Sequence, residues 1–199
     1  MKTDGAPGPD GVSFRALTDL QCKSTIARIG SIMMKWNLVP TGFRIARTVL
    51  IHQKGNSNDV SNFRPISVCS MLRRIIERMI QKQLQQYIIL NENQRGFVHK
   101  PGVQINTSIV GGCLQKAKEE QGTVVIALLD ISKAFEGSSH DHIDKKLDHR
   151  LMPSRLRDLT KNLVKENEAK IHVKRQLTTR IKTRKGVFQG SGISPEIFN

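Results

Sequence analysis

The sequence predicts an α+β fold in which helices pack on a small, mostly antiparallel sheet. Apolar residues recur at three- and four-residue spacing in several segments, which is typical of amphipathic helices. A β-rich apolar run fills residues 123–129, and alternating apolar residues between 171 and 181 are typical of a hairpin. Helices, a central strand, further helices and a hairpin, in this order, favour helices packed on one small sheet.

The N-terminal half is predicted to contain two helices and one strand. A Gly- and Pro-rich turn segment is predicted at 4–11, followed by a helix that starts at about Phe14 and that Asn37 and Pro40 end. A strand at 46–52, a polar loop at 54–59 and a helix from Ser70 to about Tyr87 follow. The last of these helices has a basic row, Arg74, Arg78 and Lys82, opposite its apolar stripe. We interpret this row as a solvated face, with direct phosphate contact as the alternative.

The C-terminal half is predicted to contain the central strand. The elements expected there are a helix at 106–120, a strand buried on both faces at 123–129, helices at 141–150 and 154–166, and a hairpin that turns near Thr178 and Thr179.

Composition limits the possible classes of function. The chain has 199 residues, which suits one domain or two thin ones, with 32 Lys and Arg against 17 Asp and Glu and a formal charge of +15. Because this charge is spread over the whole chain, it favours a nucleic-acid partner over a membrane surface; a merely basic soluble protein is the alternative. No apolar run approaches the roughly 18–20 residues of a membrane span, and no signal peptide is visible.

The cysteines indicate a reducing environment. Cys22, Cys69 and Cys113 lie far apart and lack zinc-ligand spacing. Three thiols cannot all pair, so we expect reduced, half-buried cysteines in an intracellular protein.

Asp130 is the most informative single residue. It follows directly on the predicted buried strand, where a carboxylate at the sheet rim suits a hard cation such as Mg²⁺. Taken alone the position is ambiguous, because many strands end in Asp for turn or capping reasons.

Five sequence blocks resemble the reverse transcriptase domain of non-LTR retrotransposons, and in particular the site-specific elements that insert into ribosomal RNA genes. They occur in the family's order and span almost the whole chain: Gly8-Pro9-Asp10-Gly11-Val12; 46–51 with Lys54-Gly55 and Asn62-Phe63-Arg64-Pro65-Ile66-Ser67; Asn93-Gln94-Arg95-Gly96-Phe97; Leu129-Asp130-Ile131-Ser132-Lys133-Ala134-Phe135; and Gly186-Val187-Phe188-Gln189-Gly190 with Ser194-Pro195 and Phe198-Asn199.

The resemblance implies a right-hand polymerase fold, with fingers at 1–122 and a partial palm at 123–199. It implies an RNA-directed DNA polymerase that uses two Mg²⁺ ions in nucleotidyl transfer. Asp130 would be the catalytic carboxylate and ligate both ions, and the backbone carbonyl of Ile131 would add a ligand.

The same resemblance implies a nucleotide site. Lys54 and Arg64 would hold the incoming triphosphate, Phe135 would exclude a ribose 2′-hydroxyl, and Gln189 and Gly190 would line the template and nucleotide site. The alternatives that the residues themselves leave open are an exposed loop charge for Lys54, a structural ion pair for Arg64 and a core position for Phe135.

A template or primer contact is implied at Gln94, Arg95 and Gly96, which would form a turn whose arginine contacts phosphate. The expected partners are an RNA template, a DNA primer or target DNA, and dNTPs, without a membrane. An active element would work in the nucleus. The sequence does not define an oligomeric state.

The chain departs from the family pattern in three places. The family usually has Gln-Gly-Asp-Pro-Leu-Ser-Pro, where this chain has Ser191 and Gly192 in place of Asp-Pro, and Lys-Ala-Phe-Asp, where it has Glu136. The second catalytic block, Ala-Asp-Asp, has no counterpart within the 199 residues. We therefore expect a piece of a longer or degraded polyprotein that is inactive in isolation.

Two further interpretations stay open beside the polymerase: a non-catalytic, basic RNA-binding remnant of a decayed element, and a mobile-intron maturase. The His140-Asp141-His142 cluster with Asp144 is interpreted as the start of a helix, with Asp141 in its first turn, and not as a metal site.

Overall fold

The computed structural model describes residues 6–98, 102–173 and 176–198. The chain divides into two compact units. The larger unit contains the described residues up to Ile88 together with Lys133–Phe198, and the smaller unit is Ile89–Ser132. The two unit boundaries, after Ile88 and after Ser132, differ from the boundary between residues 122 and 123 that is predicted to separate fingers and palm.

The larger unit is an α+β structure. Its helices are α1 (Leu20–Trp36), α2 (Thr41–Arg44), α3 (Met71–Leu84), α5 (Ala134–Gly137), α6 (His140–Asp148), α7 (Ser154–Val164) and α8 (Ser194–Phe198). Its strands are β1 (Ile45–His52), β2 (Phe63–Cys69), β3 (Glu168–Val173), β4 (Gln176–Leu177) and β5 (Ile181–Lys182). Short 3₁₀ turns cover Arg15–Leu17 and Val60–Asn62. Helices were expected over the ranges of α1, α3, α6 and α7, and a strand over β1, so these predictions are confirmed.

Among the described strands the sheet is mixed but mostly antiparallel, with three antiparallel pairs and one parallel pair. Its order is β2-β1-β3-β4, with β5 also paired to β3. The β1–β2, β3–β4 and β3–β5 pairs are antiparallel, whereas β1 and β3 run parallel, with Ala46 opposite Ala169. The β3–β5 pair joins the two segments of the expected hairpin. The turn predicted near Thr178 and Thr179 is wrong, because Val173 pairs with Gln176 and the Thr178 N–H donates to the Ile171 carbonyl, which places Thr178 on the returning segment. The parallel pair joins strands more than a hundred residues apart in the chain, and local sequence patterns contain no signal for such a pairing.

Strand β2 is a strand that the sequence did not predict. Pro65 lies within it, opposite Leu50, and proline inside a run argues against a central strand. Because β2 is the edge strand of the sheet, the missing N–H of Pro65 is tolerated there.

The core of the larger unit lies between α1, α3, α6 and α7. Helix α3 begins at an N-cap, where the Ser70 hydroxyl accepts a hydrogen bond from the Arg73 N–H (3.1 Å). Its apolar stripe faces α7, and the nearly fully buried residues of this core include Met33, Ile76, Leu84, Leu159 and Leu163. This packing holds α3 in place, and α3 in turn holds the candidate site.

The predicted central strand at 123–129 is wrong. These residues are an irregular, exposed segment of the smaller unit, in which Val125, Leu128 and Leu129 are 89%, 92% and 96% exposed. A β-rich apolar run becomes a buried strand only when other strands pair with its edges and layers cover its faces. In the described part of the chain, every strand of the sheet belongs to the larger unit and none pairs with this run.

The smaller unit has one described helix, α4 (Gly102–Glu119), as expected for 106–120. None of its described residues is buried, and Val103 and Ile109 are among the exposed apolar ones. No helix in the described ranges has the length and apolar character of a membrane span.

The expectation of half-buried cysteines holds for Cys22 alone, since Cys69 is buried and Cys113 is exposed. Burial raises the pKa of the Cys69 thiol to about 11.

The packing of α7 predicts the effect of a truncation in the core. Leu159 is fully buried, so Leu159→Ala should lower the free energy of unfolding by about 2–5 kcal/mol, measured by urea denaturation. Leu151→Ala is the control: Leu151 is 97% exposed, and its truncation should change the free energy by less than about 0.5 kcal/mol. Equal effects of the two substitutions would contradict the described core.

Candidate functional site

The segment 186–192, here called the glycine turn, brings two distant motif blocks together. Its Val187 N–H donates to the Phe135 carbonyl (2.9 Å), and the Gln189 side-chain amide donates to the Glu136 carboxylate (2.5 Å). Gly186 has φ of +81°, and a Cβ there would lie 2.7 Å from the Glu136 carbonyl oxygen. The block around Phe135 and the block around Gln189 are therefore in direct contact.

The glycine turn also docks on β2. The Ser67 N–H donates to the Gln189 carbonyl (2.8 Å). Gly190 has φ of +113°, and a Cβ at this position would lie 2.5 Å from the Ser67 carbonyl oxygen. Only glycine allows both this backbone conformation and this close approach. The resemblance assigned Gly190 to a place where a backbone approaches closely, and the backbone that approaches it here is that of β2.

A buried ion pair on α3 supports the glycine turn. Arg73 and Glu77 are 2% and 0% exposed, and the Arg73 Nε donates to Glu77 Oε1 (2.7 Å). Glu77 Oε1 also accepts from the Ser191 hydroxyl (2.9 Å), and Oε2 accepts from the Gly192 N–H (2.7 Å). Burial alone would lower the pKa of the Arg73 guanidinium, but the neighbouring Glu77 and Cys69 groups together more than offset this, and the pKa lies above its ordinary value.

The N-terminal motif block packs at the far end of β2. A Cβ on Gly8 would lie 2.5 Å from the Ser70 Cα, so this position requires glycine. The Arg74 guanidinium donates to the Ala6 carbonyl (2.7 Å), and the Arg47 guanidinium donates to the Pro7 carbonyl (3.3 Å). Arg74 thus contacts backbone rather than forming part of a purely solvated row. Four of the five motif blocks have residues in the larger unit that contact β2 or the glycine turn.

Phe135 is half-buried beside the glycine turn. Its ring stacks on Phe198 with centroids 4.9 Å apart, and it packs against the main apolar core. Phe135 therefore has the core contacts of the alternative interpretation and also lies beside the glycine turn. The predicted role in sugar selection stays a prediction.

One face of the sheet is basic. Arg47 of β1 is the register partner of Lys170 of β3, and Arg64 of β2 lies opposite Ile51, four residues along β1 from Arg47. Because side chains alternate along a strand, these three cations are on the same face, here called the basic face. Lys54 is exposed in the loop that joins β1 to β2. Arg64 is exposed as well, and the triphosphate contact predicted for this pair stays a prediction.

Asp130 and Ile131 belong to the smaller unit, where both are exposed. Within the described ranges there is no group of three or more His, Cys, Asp and Glu side chains that could hold a metal. A single carboxylate and one backbone carbonyl do not make a two-ion site, which requires further carboxylates. The residues described are thus insufficient by themselves for the implied metal centre.

The predicted template turn is also in the smaller unit. The Gln94 N–H donates to the Asn91 carbonyl (2.9 Å), and the Gln94 side-chain amide donates to the Gly96 carbonyl (3.2 Å). Arg95 is half-buried, and its carbonyl oxygen would lie 2.7 Å from a Cβ on Gly102, at the start of α4. The turn expected around Gln94, Arg95 and Gly96 is present, and the structure packs it on the start of α4, while contact with nucleic acid stays a prediction.

The His140 cluster has structural contacts. The His140 ring bonds to the Gly186 carbonyl (2.9 Å), Asp144 pairs with Lys165, and Asp141 lies in the first turn of α6, as predicted. His140 therefore helps to hold the start of the glycine turn.

Sequence reasoning missed Glu77, Ser67 and Glu136 as residues that shape the site. Glu77 is four residues after Arg73 on a helix, a spacing that is usual for exposed pairs. The available signal was its phase, because Glu77 falls between Ile76 and Ile80 on the buried side of α3.

An α+β chain whose separated motif blocks meet around one glycine turn is compatible with a nucleic-acid polymerase fragment. Residues 51–199 match the family model described as reverse transcriptase (RNA-dependent DNA polymerase), and the chain belongs to this family. This confirms the family that the five motif blocks indicated.

Curated relatives extend the match over nearly the whole chain. The chain is 28% identical over 194 residues to a Retrovirus-related Pol polyprotein from type-1 retrotransposable element R2 of Nasonia vitripennis, covering 98% of this chain and 19% of the relative. It is 29% identical to the polyprotein of the same description from Popillia japonica, covering 98% and 27%. It is 29% identical to the Pol polyprotein from type-2 retrotransposable element R2DM of Drosophila melanogaster, covering 100% and 19%. The resemblance to non-LTR, ribosomal-DNA-inserting elements is thereby confirmed, and the chain spans only about a fifth to a quarter of these relatives.

The close approach at Gly190 predicts that this position does not accept a side chain. Gly190→Ala should lower the free energy of unfolding by about 1–3 kcal/mol, because the backbone conformation is strained for alanine and the Cβ meets Ser67. Gly30→Ala is the control: it lies inside α1, and its Cβ would make only an ordinary contact with the Met79 methyl (3.7 Å).

In urea denaturation Gly30→Ala should raise the free energy of unfolding by about 0.5–1 kcal/mol, so the two substitutions should have opposite signs. A neutral or stabilising Gly190→Ala would show that the glycine turn does not dock on β2 as described.

Proposed function

We propose that this chain is the fingers and partial palm of an RNA-directed DNA polymerase encoded by a non-LTR retrotransposon. The fingers-type region is assigned to 1–122 and the partial palm to 123–199. The observation that supports this best is the meeting of the Phe135 block, the Ser67 block and the Gln189 block at the glycine turn. The resemblance implies that these blocks contact the incoming nucleotide.

In this proposal the glycine turn and its neighbours form the nucleotide site. Gln189 and Gly190 line it, Phe135 contacts the sugar, and Lys54 and Arg64 contact the triphosphate. The guanidinium of Arg64 can bind phosphate oxygens in a bidentate manner, whereas Lys54 supplies a point charge. The support is their placement in one unit, together with the exposure of both cations to solvent.

Reverse transcriptases as a family depend on a divalent cation. We assign Asp130 as one carboxylate ligand and Ile131 as a carbonyl ligand of a two-Mg²⁺ centre. Further carboxylates must complete that centre, because one carboxylate cannot neutralise two divalent ions. The exposure of Asp130 leaves its oxygens accessible to a cation.

The nucleic-acid partners are assigned from charge. The net charge of +15 and the basic face favour phosphate contacts, which fix a strand in position without reading its bases. Gln94, Arg95 and Gly96 are proposed to contact the RNA template or the DNA primer. Activity on nuclear target DNA would place the working polyprotein in the nucleus.

The catalytic proposal is tested in a polyprotein, because the chain covers only 19% of the Nasonia vitripennis relative. Residues 1–199 replace the aligned segment of that polyprotein, and Mg²⁺-dependent primer extension on an RNA template is measured. Asp130→Asn should abolish extension, by a factor of at least about 10³, because an amide is a neutral and weaker ligand for a hard cation.

Asp141→Asn is the matched control. Asp141 is an exposed acid in the first turn of α6, and its neutralisation should leave extension within about twofold. Retained extension by the Asp130→Asn chimera would refute the catalytic assignment.

The second candidate function, a non-catalytic RNA-binding remnant, is favoured by the same charge and by the lack of a metal cluster among the described residues. Both functions predict that the 199-residue chain binds single-stranded RNA with an affinity that falls steeply with salt.

Replacing both Arg64 and Lys170 by Gln should reduce the slope of log K against log salt by about 1–2, measured by filter binding. An unchanged slope would remove the basic face from the interface. RNA binding together with an extension-inactive wild-type chimera would favour the remnant.

A further inference from the structure

We propose that Glu77 is a positioning residue for the nucleotide site, and that Ser191 and Gly192 are fitted to its carboxylate. The inference rests on the proposed function in one respect, namely that the glycine turn contacts the nucleotide. Glu77 itself is fully buried and acts through the turn.

The Glu77 carboxylate is fixed before the turn is considered. Besides its bond to Glu77, Arg73 donates to the Phe43 carbonyl, to the Asn167 side-chain oxygen (2.8 Å) and to the Leu163 carbonyl (3.1 Å). These acceptors belong to α2, to the residue that precedes β3, and to α7. A guanidinium held from three elements cannot follow a moving carboxylate, so Glu77 is held rigidly.

The turn uses two further acceptor sites of Glu77. Oε1 accepts from the Ser191 hydroxyl, and Oε2 accepts from the Gly192 N–H. On the other side, the Gln189 carbonyl is bonded to Ser67, and the Gln189 side chain to Glu136. The two residues proposed to line the nucleotide site, Gln189 and Gly190, therefore lie between two anchors, β2 on one side and Glu77 on the other.

Ser191 and Gly192 are chemically suited to this carboxylate. An aspartate at position 191 would place a second carboxylate within hydrogen-bonding distance of Glu77, where the two charges repel. A proline at 192 would lack the N–H that bonds to Oε2. A Cβ at 192 would already be within 3.3 Å of the Glu77 Cβ. The two departures from the usual Asp-Pro are thus a matched pair that donates two hydrogen bonds to one buried acid.

The first experiment measures the turn directly in the 199-residue chain. Hydrogen exchange at the Gly192 amide should accelerate at least about tenfold in Glu77→Gln, because the amide side chain cannot present two charged acceptor oxygens. Leu159→Ala is the matched control: it destabilises the same core without touching the turn, so any faster exchange should be shared by all core amides. Unchanged Gly192 protection in Glu77→Gln, or a change no larger than that of the other core amides, would overturn the proposal.

The second experiment separates the Ser191 hydrogen bond from side-chain shape. Ser191→Thr keeps the hydroxyl, and Ser191→Val has nearly the same shape as threonine without it. In the polyprotein chimera the KM for dNTP should be about 3- to 10-fold higher for Ser191→Val than for Ser191→Thr, with kcat within about twofold, as expected for one hydrogen bond that positions a binding element.

Equal KM values for the Val and Thr variants would overturn the positioning role. The two experiments also distinguish this inference from the proposed function. Selective loss of Gly192 protection in a chain whose chimera never extends a primer would leave Glu77 as the support of the turn while the polymerase assignment fails.

Discussion

The buried pair of Arg73 and Glu77 is the interaction on which the larger unit depends. Through it α3 is tied to the end of α2, to the C-terminal turn of α7, to Asn167 before β3, and to the glycine turn. Two desolvated charges are costly to bury, and such a pair contributes little net stability compared with apolar residues of the same volume. Its contribution is geometric, because removing either partner would leave a charge buried and unpaired.

From this constraint the candidate site follows in order. The carboxylate fixes Ser191 and Gly192, β2 fixes Gln189, and the Glu136 carboxylate fixes the Gln189 side chain. The larger unit therefore holds the glycine turn in place through its own contacts. The acid proposed for catalysis lies in the other unit, on an exposed run with the composition of a central strand. Under the proposed function, that run needs pairing partners from the rest of the polyprotein, of which this chain spans a small part.

The sequence predicted the elements whose signal is local. Helices α1, α3 and α7 and strand β1 follow from periodicity, because burial of one face decides them. Strand β2 contains Pro65, and only its edge position, a property of the whole sheet, makes it a strand. Residues 123–129 show the opposite case, in which a strong local β signal lacks partners. For the site, the resemblance selected Gln189 and Phe135. Glu77 was missed because a helix pair at i, i+4 is usually a surface feature, and its phase between Ile76 and Ile80 was the available signal for its burial.

Several acidic residues of the larger unit are paired with cations of the same unit. Asp148 contacts Lys161 and Arg157, and Glu168 contacts Arg180. Glu77 is paired with Arg73 in the core. The hydrogen bond from Lys161 lowers the pKa of the Asp148 carboxyl. The contacts of Asp148 and Glu168 engage cations of α7 and of the segment before β5; Glu168 itself lies on the basic face, two residues from Lys170 on β3. Under the proposed function, phosphate binding to Arg47, Arg64 and Lys170 of the basic face would release condensed counterions, and this release would supply a large part of the binding free energy.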